Sequence, residues 1–158
     1  MYSGLSWVNE TIVTFTREWG CRMNNNILEE YAYVHDNEIL SYHVDIFNKQ
    51  LQISTKYYDK EKTSITFTGL MAHHFDDVTY KNIINTISQI STDCFIDEHK
   101  DMLEKSLKRA FPIFAENCEY LKAYLEREEE QKIFKINSTL GLCGFVIAKA
   151  ISIEVTAV

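Results

Sequence analysis

The chain has one proline, Pro112, and only five glycines in 158 residues. That scarcity excludes proline-rich spacers and Gly-rich linkers, and no low-complexity stretch or repeat of 20–50 residues divides the chain. Its four cysteines, at 21, 94, 118 and 143, lie too far apart for any CxxC pair, which excludes a zinc ribbon or a thioredoxin-type motif. Excess positive charge is also missing: the formal charge is −7, against the basic surface that bulk nucleic acid or an anionic membrane demands. Long apolar runs are lacking too. The most apolar segment, Leu140–Ile153, is interrupted by Lys149 and is shorter than the ~20 residues of a membrane span. The N-terminus has no basic region followed by an apolar one, so the expectation is a cytoplasmic protein with all four cysteines as buried free thiols.

What is present is a chain with 46% hydrophobic residues, enough to bury a core without staples. Between residues 38 and 75 the pattern has a period of two. Leu40, Tyr42, Val44 and Ile46 alternate with Ser41, His43 and Asp45. After the Asn48-Lys49 turn signal, Leu51, Ile53, Thr55 and Tyr57 alternate with Gln52, Ser54 and Lys56. After the polar break Asp59–Lys62, Ile65, Phe67, Gly69 and Met71 share a face of Ser64–Phe75. Alternation in β-branched and aromatic residues predicts half-buried antiparallel strands, and the short breaks make a three-strand meander. Tyr80–Ser91 is ambiguous: Ile83, Ile87 and Ile90 fall at helical spacing, while the density of isoleucine favours a fourth strand, the reading preferred here.

From Asp97 to Glu130, Leu103, Leu107, Phe111, Phe114, Cys118, Leu121 and Leu125 recur at steps of three and four. This predicts a long helix capped at Asp97 and kinked at Pro112, or two helices in line, packed on one sheet face. Lys132–Asn137 and Cys143–Val155 then read as a C-terminal hairpin around the turn 138–141. The small residues Val146, Ala148, Ala150 and Ser152 would let the helix approach closely. Residues 1–22 carry Leu5, Val8, Ile12, Phe15 and Trp19 at helical spacing. They read as an N-terminal extension or helix, with Met23 as an alternative start, and Asn26 could cap a brief helix over 27–34. Residues 23–158 would then form a single α+β domain: a mostly antiparallel sheet with one long or kinked helix on one face.

Among chemical constellations, His73-His74-Phe75-Asp76-Asp77 is the candidate for metal. Two imidazoles and two carboxylates suit zinc or manganese, although adjacent residues on a strand face apart. His35-Asp36 with His43 and Asp45 would need a third partner before it could do acid–base work. Cys143, beside Gly141 and Gly144, would need a lowered pKa and a nearby histidine to act as a nucleophile. No P-loop, dinucleotide fingerprint or nucleophile elbow occurs, and no cofactor is expected. The tyrosines near the meander offer a protein-binding face made of Tyr42, Asp45, Tyr57 and Tyr58; cross-strand packing explains them equally well.

The stretch from His35 to Phe75, in which a His35-Asp36 turn leads into strands and then into the strand carrying Phe67–Gly69, resembles small uncharacterised bacterial proteins. Some of these are immunity proteins of polymorphic toxin systems. The resemblance covers about a third of the chain and carries over no catalytic residue. It implies a non-enzymatic acidic binding protein whose partner is another protein, such as a basic toxin domain. The rival readings are a small metal-dependent hydrolase using His73, His74, Asp76 and Asp77, and a structural homodimer pairing sheet edges.

Overall fold

The structure, a computed structural model, describes residues 34–128 and 130–157. The expectations for residues 1–22, for Met23 and for a helix capped by Asn26 fall outside the described residues. Among the described residues, eight strands and two helices follow in the order β1 (Glu38–Asp45), β2 (Gln50–Tyr57), β3 (Glu61–Thr68), β4 (Ala72–Asp76), β5 (Asn82–Ile90), α1 (Thr92–Ser106), α2 (Cys118–Arg127), β6 (Lys132–Leu140), β7 (Cys143–Ala148) and β8 (Ala150–Ala157). All strand pairs are antiparallel, in the order β4-β7-β6-β5-β1-β2-β3-β8. The α+β class, the meander, the strand within 80–91 and the C-terminal hairpin are therefore present as expected.

The sheet folds back on itself. Inward residues of β1, β2, β3 and β8 (Ile39, Leu51, Ile53, Ile65, Phe67, Ile151) form one core with those of β5, β6 and β7 (Ile84, Ile87, Phe134, Ile136, Val146, Ala148). Phe67 of β3 meets Phe134 of β6 with ring centroids 5.4 Å apart, although these strands are not neighbours in the sheet. A second core lies outside. The opposite face of β6 and β7 presents Ile133, Phe145 and Ile147 to Phe95, Leu103, Leu107, Leu121 and Leu125 of the helical region.

Several expectations need correction. The run 97–130 is neither one kinked helix nor two in line. α1 begins earlier, where Ser91 Oγ accepts a hydrogen bond from the Cys94 N–H at 3.2 Å. It ends in a 3-10 turn at Leu107–Arg109, with Ala110 in the left-handed region. Pro112 lies in a non-helical link, and α2 restarts at Asn117, whose Oδ1 accepts from the Tyr120 N–H at 2.9 Å. The two helices pack against each other, with Lys122 of α2 2.6 Å from Asp93 at the start of α1. The apolar stripe keeps its phase because both helices cover the same sheet, not because they share an axis.

Two long runs, 64–75 and 143–155, each divide in two. The chain bends at Gly69–Met71 between β3 and β4, and at Lys149 between β7 and β8. The break at Lys149 exchanges faces: Phe145 and Ile147 sit under the helices, whereas Ile151 and Ile153 line the inner core. The helices therefore rest on Phe145 and Ile147, and the small residues Val146 and Ala148 face inward instead. In β1 a register shift between Ile39 and Ser41 buries Ile39, turns Leu40 out to 49% exposure, and leaves Tyr42 and Val44 opposite Ile53 and Leu51.

Because Phe67 and Phe134 are both fully buried and in contact, Phe67→Ala or Phe134→Ala should each cost ~3–5 kcal/mol in urea unfolding. The double variant should cost less than the sum, since the second truncation enlarges a cavity already made.

Candidate functional site

The two halves of the sheet do not close everywhere. β1 pairs with β5 only at Glu38↔Ile83 and Ile39↔Asn82, so among the described residues Leu40–Asp45 has no strand on that side. Among the described residues β4 pairs only with β7. A continuous rim runs from the second half of β1 through the turn 46–49 and across the Leu70 N–H to Lys49 O hydrogen bond at 2.8 Å. It then follows β4 and the loop 77–81 back to β5. Asn82, almost fully buried, anchors that loop: its Oδ1 accepts from the Thr79 and Leu142 N–H groups at 3.1 and 2.9 Å, and its Nδ2 donates to Thr79 O at 2.8 Å.

Inside this opening Tyr42 meets Phe75 edge-to-face at 5.3 Å, and His73 lies against Phe75 at the same centroid distance. Val44, Leu70 and Phe75 pack partly buried on the inner core. Among the described residues the rim carries the most exposed of the large apolar side chains: Ile46 at 83%, Phe47 at 94% and Tyr80 at 98%. Sequence reasoning missed Ile46, Phe47 and Tyr80 as surface groups. Ile46 fitted the alternation of β1, and only the turn signal at Asn48-Lys49 hinted that Ile46-Phe47 would stand at a hairpin tip.

The residues singled out for binding do not converge. Tyr42 lies in the opening. Asp45 closes the turn, its two oxygens accepting from Asn48 N–H at 2.9 Å and Nδ2 at 2.7 Å; these bonds hold its carboxyl below the usual carboxylate range. Tyr57 and Tyr58 stack edge-to-face at 4.8 Å at the far end of β2, roughly 23 Å along the strand from Asp45's partner Gln50.

The candidate metal ligands separate as strand geometry dictates. His73 faces the opening, whereas His74 faces outward over Phe145, 3.1 Å from Asp76 Oδ1. Among the described residues no three His, Cys, Asp or Glu side chains are arranged to hold a metal ion. His35 Nδ1 lies 2.8 Å from Asn85 O, which ties the turn to β5. Cys143 Sγ lies 3.9 Å from Asp77 Oδ2. Burial first, then Asp77 and Asp76, push its thiol up, the reverse of nucleophilic activation. Cys118 is free as well, but Cys94 is disulfide-bonded, which corrects the expectation of four free thiols.

His99 of α1 packs on Phe145, as His74 does from the sheet. It departs from helical geometry at φ −116°, ψ 15°, and its ring sits 5.4 Å from Phe95 and 4.8 Å from Phe145 with Nε2 buried and unpartnered. Burial pulls its pKa down, helped by Lys135 and His74 and opposed by Glu98 and Asp76. Burial, with His74 second, also pulls His73 down.

Groups whose folded pKa is depressed bind fewer protons folded than unfolded, so their stability is intact above the unfolded histidine value near ~6.5 and is lost as pH falls toward the folded values. The melting temperature should therefore drop between pH 7 and 5, and His99→Phe should shallow that drop. In iodoacetamide mapping of the unreduced denatured chain, Cys118 and Cys143 should be labelled and Cys94 should not.

No protein-family profile, no curated protein and no solved structure matches this chain.

Proposed function

We propose that this chain is a non-enzymatic protein-binding module that engages another protein at the opening between β1 and β4. The observation that carries this reading is the exposure of Phe47 and Tyr80, both above nine-tenths, on the rim of one opening, with Ile46 next to Phe47. Large aromatic side chains held in water on a folded rim cost solvation that a partner would recover, and such anchors dominate binding energy at interfaces. Asp45, Asp76 and Asp77 flank the same rim.

The more specific form of the proposal is an immunity protein that covers a basic toxin domain. The formal charge of −7 supports it by steering association with a cationic partner. A cytoplasmic setting was expected from the missing secretion signal and membrane span, with free thiols as its corollary; the disulfide at Cys94 contradicts that corollary. Among the described residues no helix is long and apolar enough to cross a membrane. The metal-hydrolase reading gains no support from His73 and His74, which face apart.

The test is affinity capture with the full chain and with Phe47→Ser/Tyr80→Ser as bait. A specific partner should be retained by the unaltered chain and weakened at least about tenfold by the variant, consistent with loss of two aromatic anchors. Thermal melts of the two baits should coincide. A partner that holds both baits equally would remove the opening from the interface.

A further inference from the structure

The sheet order ends in two strands, β4 and β8, and they differ in how they are guarded. Exposed strand edges are ordinarily protected by shortness, proline, inward charge or a bulge. β4 has five residues, of which three are His73, His74 and Asp76. β8 has eight, with Glu154 as its single charge and no proline. It pairs with β3 from Thr68↔Ala150 to Glu61↔Ala157 without any register shift, and no strand lies on its other side among the described residues. Its faces are well defined. Ile151, Ile153 and Val155 lie opposite the buried Phe67, Ile65 and Thr63, whereas Ala150, Ser152, Glu154 and Thr156 lie on the outer face. Ile151 is buried but Val155 is 50% exposed, so the inner apolar row loses its cover along this edge.

We propose that this chain forms a two-fold symmetric dimer in which β8 pairs antiparallel with β8 of a second copy, centred on Ile153. An antiparallel pair of identical strands is self-complementary, because each free N–H and C=O of one edge meets its counterpart on the other. A two-fold axis perpendicular to the sheet keeps each residue on its own face, which restricts the possible registers. With Ile153 at the centre, Ile151 lies opposite Val155 of the second copy, Ser152 opposite its Glu154, and Ala150 opposite its Thr156. The inner-face side chains Ile151, Ile153 and Val155 then meet only one another, and each carboxylate meets a hydroxyl. Centring on Glu154 would set two carboxylates face to face, which is unfavourable. Centring on Ser152 would push the ladder into the bend at Lys149 and leave Val155 without a partner. Centring on Val155 brings no like charges together but leaves Ile151 without a partner, so the Ile153 register is the one that pairs the whole inner apolar row, and a second copy supplies the matching edge. This interface lies on β8, apart from the opening assigned above to a different protein.

The test is sedimentation equilibrium of the full chain over a range of concentrations, with a thermal melt of each variant. The average mass should rise toward twice the 18.5 kDa of the single chain. Ser152→Glu sets carboxylates opposite one another in the proposed register and should weaken dimerisation at least tenfold. Ser152→Lys sets an ammonium opposite Glu154 and should tighten it. Ser152→Glu combined with Glu154→Lys should restore the dimer, which separates loss of pairing from loss of folding. A mass that stays at 18.5 kDa at every concentration overturns the proposal. So does growth beyond the dimer, or a dimer indifferent to the sign of the charge at Ser152.

Discussion

The fold depends on a single bend made by two strand pairs together. β3 passes into β4, and β7 into β8, at adjacent points, and the ladder between them continues through the bend: Lys149 N–H donates to Thr68 O at 2.9 Å and Met71 N–H donates to Ile147 O at 2.8 Å. Gly69 adopts a φ of +66° there, with its missing Cβ position occupied by the Lys149 side chain. A side chain at 69 would face both an unfavourable backbone and a collision. The bend carries the sheet from one half of the inner core to the other, so both the opposed apolar faces and the opening beside β4 follow from it.

Much of this architecture can be read from alternation alone, because each strand of the meander has one wet and one dry face. What alternation does not reveal is where a strand bends. The run 64–75 keeps its pattern through Gly69, and 143–155 keeps a dense apolar pattern on both sides of Lys149, because the residues change partners without becoming polar. The bulge at Leu40 is hidden in the same way, since shifting the pattern by one residue exchanges Ile39 for Leu40, two side chains of equal hydrophobicity. Around Pro112 the error has a different origin. Helical periodicity records which face is buried, and two helices on one sheet bury the same face whether they are collinear or folded back.

The candidate site was less legible for a related reason. Tyr42 and Phe75 are distant in sequence and meet only because β1 outruns β5 while β4 bends across the gap. Exposed aromatic residues such as Phe47 and Tyr80 have the composition of core residues, and only their place in turns distinguishes them. The separation of His73 from His74, by contrast, follows directly from strand geometry, in which consecutive side chains must oppose each other.

β6 and β7 occupy an unusual place among the strands. One face of each is sealed by the inner core and the other by the helical pair, and both have strand neighbours on either side. Water can reach their backbone amides only when one of two apolar layers lifts away. The hairpin they form is therefore the kinetic keystone of the molecule: solvent exchange there reports opening of a whole layer, whereas at β1 or β8 it reports only fraying of a single border.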